Sequence, residues 1–211
     1  MEDFEKFRVS LCKAFEMGLP GKPGQEPMRP YLKLNKSLDA PEPFLPPKEG
    51  AVLALIYPKE NFPHLALIER PVYEGIHSGQ IAFPGGKVEK GETAVEAALR
   101  EASEEVGIVD ANVEIISSLS EVYVWASNFR VSPFVGFSSS RPDFVPDKHE
   151  VGEILEVPLD YFLNAGIVKE KPIPSKMGFL MNAPYYDLWG KTLWGATAMM
   201  VSELMQVVKR T

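Results

Sequence analysis

The sequence predicts an α/β or α+β sandwich. Short strand-like runs dominate from about residue 50, an amphipathic helix interrupts them near the middle, and an apolar helix closes the chain. Its 211 residues are long enough for one domain with an extension and for a core that needs no disulfide or structural metal. Residues 1–49 are expected to form an N-terminal helix and Pro-rich arm, and residues 50–211 the compact domain.

Phe4, Phe7, Leu11 and Phe15 fall at near-helical spacing and predict a helix over residues 3–17 that packs on the body. Gly18 to Pro47 holds eight of the nineteen prolines and should run extended without regular structure, anchored by Tyr31, Leu32, Leu34, Phe44 and Leu45. Ala51–Tyr57, Leu65–Glu69 and Gln80–Phe83 read as strands separated by Pro, Asn and Gly. A helix is expected over Thr93–Val106, with Val95, Leu99, Ala102 and Val106 as its buried stripe. Val113–Tyr123 and Phe129–Phe137 predict two further strands joined by Trp125–Asn128. Glu153–Val157 predicts a strand leading into a short helix at Leu159–Leu163. A last strand near Leu193 precedes a helix over Ala196–Val208, and no internal repeat is present.

A net charge of −7 and a pI near 5.1, with no compensating basic block, argue against a general nucleic-acid or anionic-membrane binder. The longest stretches without Asp, Glu, Lys or Arg are the twelve residues Gly75–Gly86 and the eleven residues Thr192–Ser202, far short of the roughly 18–20 that cross a bilayer. The N-terminus is acidic and mixed, unlike a secretory signal. A single Cys12 excludes an intrachain disulfide and a multi-cysteine zinc site, so a cytoplasmic location is expected.

The chemistry concentrates in GKVEKGETAVEAALREASEEVGI, residues 86–108. On a helical wheel Glu101, Glu104 and Glu105 cluster opposite the apolar stripe, with Ala97 and Ala98 leaving space beside them. Like charges at these spacings repel, and a helix C-terminus adds partial negative charge. Carboxylate oxygens are hard ligands, so Mg²⁺ or Mn²⁺ would convert the repulsion into binding, and a phosphate or diphosphate ester is the natural substrate. A solvated acidic face is the alternative for the three Glu alone. The wider pattern G-x5-E-x7-R-E-U-x-E-E-x-G-U, with U apolar, decides between them. It is matched at Gly86, Glu92, Arg100, Glu101, Ala102, Glu104, Glu105, Gly107 and Ile108. A chance match is on the order of one in ten million.

This pattern is the Nudix box, and the chain resembles Nudix hydrolases, which cleave nucleoside diphosphates linked to another group. The resemblance covers roughly residues 50–205. It implies a Nudix-type α/β/α sandwich with a mixed sheet and a central loop–helix–loop metal site. It also implies metal ligation by Glu101, Glu104, Glu105 and the carbonyl of Gly86, and structural roles for Glu92, Arg100 and Gly107. Upstream, Arg70, Gly79 and Phe83-Pro84-Gly85-Gly86 resemble the motif L-L-T-x-R-[SA]-x3-R-x3-G-x3-F-P-G-G of coenzyme A pyrophosphatases. Glu69, Pro71 and Gly75 depart from it, and the missing second Arg removes a cation that would meet the acidic cofactor. The C-terminal LWGATAMMVSEL resembles the ending of the same group. Its Trp194, Met199, Met200 and Leu204 are most simply core.

The resemblance implies a small-molecule nucleoside diphosphate derivative as partner, coenzyme A foremost, cleaved to 4′-phosphopantetheine and 3′,5′-ADP. ADP-ribose, NADH or another nucleoside diphosphate derivative is the alternative, and a non-catalytic ligand-binding module the second. Catalysis is assigned to Glu101 and Glu105 with one further carboxylate, Glu150 ahead of Glu153. Arg70, Gly79, Phe83, Gly85 and Arg130 are the substrate-binding candidates, with Lys87 and Lys90 more simply surface charges. His77 and His149 are read as loop donors, and Tyr123, Trp125 and Phe129 as either ring-stacking or packing residues. No nucleic acid or membrane is expected as partner. The arm can wrap its own subunit or swap across a homodimer.

Overall fold

Strand β1 (Lys48–Lys59) organises the structure, because its segment Leu53–Tyr57 is buried on both faces, as an apolar run in a central strand should be. The computed structural model describes residues 2–32, 45–71, 78–174 and 180–211. A tight turn with positive φ at Glu60 and Asn61 folds β1 back onto β2 (Phe62–Glu69), pairing Lys59 with Phe62. Further along the chain come β3 (Ile81–Ala82), β4 (Gly85–Lys87), β5 (Glu114–Ser118), β6 (Val122–Val124), β7 (Phe129–Phe137) and β8 (Glu153–Pro158). Among the described residues these eight form one mixed sheet with the path β3-β2-β1-β7-β5. Off this path β4 pairs with β1, β6 with β7 and β8 with β2. β1 and β7 run parallel from Lys48↔Phe129 to Ile56↔Phe137, while the other pairings are antiparallel.

One edge of β1 changes partner along its length. Ile56–Lys59 pair with β2, whereas Gly50–Val52 pair with β4. Between these segments Leu53 N–H donates to the carbonyl of Pro84 at 2.9 Å, so the Pro84–Gly86 segment enters the sheet where β2 leaves it. Gly85 makes this approach possible: with φ of 150°, a Cβ there would lie 2.3 Å from the Ala51 carbonyl oxygen.

The helices are α1 (Glu2–Glu16), the short α2 (Lys22–Gln25), α3 (Ala94–Val106) and the C-terminal α4 (Gly195–Val208), joined by 3₁₀ turns that include Leu159–Leu163. They cover both faces of the sheet. Helix α3 lies over Ala51, Leu53, Leu55, Tyr57, Ala66 and Ile68. The opposite core joins Ala54, Ile56, Leu65 and Leu67 to α1 and α4. The result is an α/β/α sandwich. Among the described residues no helix is long and apolar enough to cross a membrane.

Three expectations change. The strand read over Val113–Tyr123 divides into β5 and β6. It does so because Ser120, between them, donates through its N–H and hydroxyl to the buried carboxylate of Glu203 on α4. The arm is not devoid of regular structure: α2 and a 3₁₀ turn at Glu26–Met28 form with Pro23 and Pro27 in their first turns, where a missing N–H does no harm. Its buried anchors are Gln25 and Met28, whereas Leu45 is exposed and Leu34 and Phe44 lie outside the described residues. A second sheet, β11-β10-β9, has two unanticipated strands, β9 (Val168–Pro174) and β10 (Leu180–Leu188), followed by β11 (Lys191–Trp194). Prolines 172, 174 and 184 and the exposed Lys–Glu alternation of β9 conceal them.

Candidate metal and substrate site

Helix α3 is fixed at both ends. Thr93 and Glu96 form a reciprocal capping box, and Gly107 ends the helix in the left-handed conformation at φ 71°. Arg100 joins the helix to the preceding loop, donating to Glu92 at 2.9 and 3.1 Å and to the Lys87 carbonyl at 3.2 Å. Glu92 also accepts from the Glu89 amide at 2.7 Å. These contacts tie the helix to the loop before it, and Arg100 also donates to Glu101 at 3.0 Å.

The helix is rotated from the expected orientation. Ala97, Ala98, Ala102, Glu105 and Val106 are buried, while Val95 and Leu99 are only partly covered. The alanine methyls therefore do not border open space; they let the helix approach the sheet closely. This rotation carries Glu105 inward to 1% exposure and leaves Glu104 in solvent, bound to Arg100 at 3.0 Å. The single exposed acidic patch expected of Glu101, Glu104 and Glu105 is thus corrected: Glu105 turns inward, while Glu101 and Glu104 share the Arg100 Nη1 atom at 3.0 Å each.

The third carboxylate of the group is Glu150. One oxygen each from Glu101, Glu105 and Glu150 lies within 4.8 Å of the others. Glu150 arrives on the connection of residues 138–152 between β7 and β8, which holds no helix or strand. Glu153, the second choice, does not join them. It faces Lys191 at 3.0 Å, and Lys191 also bonds Glu69. Both acids at the β2–β8 edge are thereby occupied by one lysine from the smaller sheet.

Backbone from the Gly85–Gly86 turn closes the site. Gly85 N–H donates to Glu105 Oε2 at 2.8 Å, and Arg70 Nη2 lies 3.4 Å from both Glu105 Oε1 and the Gly85 carbonyl. Gly86 lies beneath Glu101, whose carboxyl carbon would be 2.4 Å from a Cβ at that position. Burial pushes the Glu105 carboxyl up to about 7. The Gly85 amide and Arg70 oppose that rise, and Glu101 and Glu150 add to it. Burial also raises Glu101 against the pull of Arg100. Packed carboxylates that resist ionisation are a fit donor set for a hard divalent cation, which would replace mutual repulsion with coordination.

The remaining candidates scatter. Phe83 is 1% exposed in the core beneath the sheet, so its ring is unavailable to a ligand, contrary to expectation. Arg130 lies 3.6 Å from Glu49 and 3.9 Å from Glu121, with no contact to the trio. Gly79 shapes the turn before β3 with φ of 63°. The Tyr123 hydroxyl donates to Asn128, and Lys48 lies over the Phe129 ring. His149 donates its amide to Asp147, while His77 and Gly75 lie outside the described residues. Asp147 itself escaped sequence reasoning, although an Asp directly after Pro146 is a turn signal.

Comparison with known proteins accords with this geometry. The family model for the NUDIX domain matches residues 47–172. A protein of Pectobacterium atrosepticum described as the uncharacterized Nudix hydrolase NudL is 33% identical over 144 residues, covering 67% of this chain and 73% of that protein. Peroxisomal coenzyme A diphosphatase NUDT7 of Mus musculus is 41% identical over 112 residues, covering 51% of this chain and 46% of that protein. Among solved structures, the Nudix hydrolase RenU from M. smegmatis aligns with a TM-score of 0.56 at 18% identity, covering 79% of this chain and 88% of that one, and shares the fold. The chain belongs to the Nudix family and is a Nudix hydrolase.

Proposed function

We propose that this enzyme hydrolyses the diphosphate bond of coenzyme A and its thioesters, yielding 4′-phosphopantetheine and 3′,5′-ADP from the free cofactor. The chemistry rests on one observation, the convergence of Glu101, Glu105 and Glu150 beside the Gly85–Gly86 turn. The substrate is supported by the upstream segment around Arg70 and Phe83–Gly86 and by the likeness to the mouse coenzyme A diphosphatase.

Glu101, Glu105 and Glu150 would hold Mg²⁺ or Mn²⁺, with the Gly86 carbonyl beside them. When bound, such an ion neutralises charge on the phosphate oxygens and makes a neighbouring water more acidic. Glu150, the exposed member, takes a proton from the attacking water, while the oxygen bridging the two phosphorus atoms leaves with the bond electrons. Arg70 places a guanidinium at the edge of the trio, where it can meet a substrate phosphate. Glu104 remains available to the outer, solvent side through Arg100. With Glu153 paired to Lys191, the base falls to Glu150.

The same reading assigns residues 50–211 to catalysis and residues 1–49 to a supporting arm. It places the enzyme in a reducing cytoplasm, to which a lone Cys12 is suited. The test is a comparison of kcat/KM for coenzyme A, an acyl-coenzyme A, ADP-ribose and NADH with Mg²⁺ and with Mn²⁺, products identified by mass. Coenzyme A should lead, and a higher value for ADP-ribose or NADH would replace it as substrate.

A further inference from the structure

The connection carrying Glu150 is pinned at several points before it reaches the trio. Arg141 makes a forked pair with Glu156 on β8 at 2.8 and 2.9 Å, and Glu156 also accepts from Lys59 at 3.0 Å and the Tyr57 hydroxyl at 2.9 Å. Phe144 packs edge-on against Tyr57 beneath the Arg141 guanidinium. Val145 N–H donates to the Val106 carbonyl at 2.9 Å, and its backbone passes so near Gly107 that a Cβ there would meet it at 2.9 Å. On the far side Gly152 N–H donates to the Glu69 carbonyl at 2.8 Å.

Between these pins, a single turn decides where the Glu150 carboxylate stands. Asp147 N–H donates to the carbonyl of Glu105 at 2.9 Å, which ties the turn to the backbone of another member of the trio. The Asp147 carbonyl accepts from the amides of Glu150 at 3.1 Å and Val151 at 2.8 Å, and its Oδ1 accepts from the amide of His149 at 2.8 Å. A side-chain oxygen that accepts from the amide two residues on closes an Asx turn. Val151 then buries its side chain at 2% exposure beside α3.

We infer that Asp147 is a positioning residue: by closing the 147–151 turn on the backbone of Glu105, it holds Glu150 in register with Glu105 as one ligand unit. The inference rests on the trio's proposed role. Groups that orient a ligand from behind typically alter affinity or activity by roughly 10–100-fold when removed. The role requires an acceptor oxygen at the turn. It does not require the Asp147 charge.

That distinction sets the experiment. Asp147→Asn, Asp147→Ser and Asp147→Ala are compared with the parent enzyme for Mn²⁺ affinity by electron paramagnetic resonance and for kcat and KM on the best diphosphate of the panel. Asn keeps the acceptor and should stay within about threefold of the parent, whereas Ala should raise the Mn²⁺ dissociation constant and lower kcat about 10–100-fold with KM little changed. Ser, a weaker turn former, should fall between them. If Asn is as impaired as Ala, the charge matters rather than the turn, and the inference is overturned. Equal behaviour of all three variants and the parent overturns it too. Failure of the underlying reading looks different: Glu150→Gln would then turn over like the parent, or the parent would cleave no diphosphate.

Discussion

Glu105 and Gly85 are joined by a 2.8 Å hydrogen bond from the glycine amide to a carboxylate that is 1% exposed. The amide supplies a fixed partial positive charge to a group whose burial otherwise favours the protonated form. Glu105→Gln keeps an acceptor for that amide while removing the charge. Turnover in Mg²⁺ should fall by orders of magnitude, with near-parental secondary structure by circular dichroism. Parental turnover would remove Glu105 from the proposed metal site.

The same burial gives metal-free stability a definite pH dependence. Because the Glu105 carboxyl is raised from its ordinary 4.5 to about 7, the folded state binds its proton more tightly than the unfolded chain. The associated stabilisation is complete below about 4.5 and is lost as pH rises through about 7, at most about 3 kcal/mol. Urea midpoints in EDTA should therefore drop between pH 5 and pH 8 by more in the parent than in Glu105→Gln. Saturating Mg²⁺ at pH 8 should restore the parent's loss.

Gly86 and Gly85 are neighbours whose replacement by alanine should have opposite consequences. At Gly86 the new methyl meets the end of the Glu101 side chain, which can swing aside. Gly86→Ala should lose about 10–100-fold in activity while stability changes by less than about 1 kcal/mol. At Gly85 the methyl meets the backbone of Ala51 and Val52 at 2.3 and 2.6 Å, so Gly85→Ala should cost about 2 kcal/mol or more. Thermal melts together with turnover measurements separate the two.

Glu156 titrates in the other direction. Burial favours its neutral form, but hydrogen bonds from Arg141, Lys59 and Tyr57 prevail and hold its carboxyl at about 2. Its contribution is present above about 4.5 and is lost as pH falls through about 2. Glu156→Gln should lower stability at pH 7 by about 1–2 kcal/mol, given the partial exposure of Arg141 and Lys59. The deficit relative to the parent should shrink on acidification, as read from urea midpoints at pH 7 and pH 3.

Glu203 is fully buried on α4, and its oxygens accept from the Gly21 amide, the Gln25 side chain, and the Ser120 amide and hydroxyl. Glu203→Ala would leave several buried and part-buried donors without their acceptor, at about 2–4 kcal/mol. Limited proteolysis should then cut within residues 18–32 at protease levels the parent resists.

Much of the fold was readable because apolar periodicity reports which faces are covered. Phe4, Leu11 and Phe15 are buried as their spacing requires, and Phe129–Phe137 is a strand over that whole range. Periodicity fails where a polar residue occupies a buried position. Glu105 looked like a solvent-facing acid because wheel arithmetic follows apolar residues, and the small Ala97 and Ala98 allowed the helix to turn a different stripe inward. Glu150 was reachable only through resemblance, since its place depends on backbone bonds from Val145, Asp147 and Gly152 to distant residues. Lys191 gave no local sign that it would engage both Glu69 and Glu153 across two sheets.

The parallel register of Lys48–Ile56 with Phe129–Phe137 encloses the whole segment that bears Arg70, Gly85, Glu101 and Glu105, while Glu150 lies just beyond it. Closing so long a span is entropically slow, and parallel strands gain nothing until it is closed. On that argument the Glu101, Glu105 and Glu150 carboxylates should come together late in folding. A divalent ion held as proposed would then act as a lock on the finished molecule, slowing its unravelling far more than it hastens its assembly.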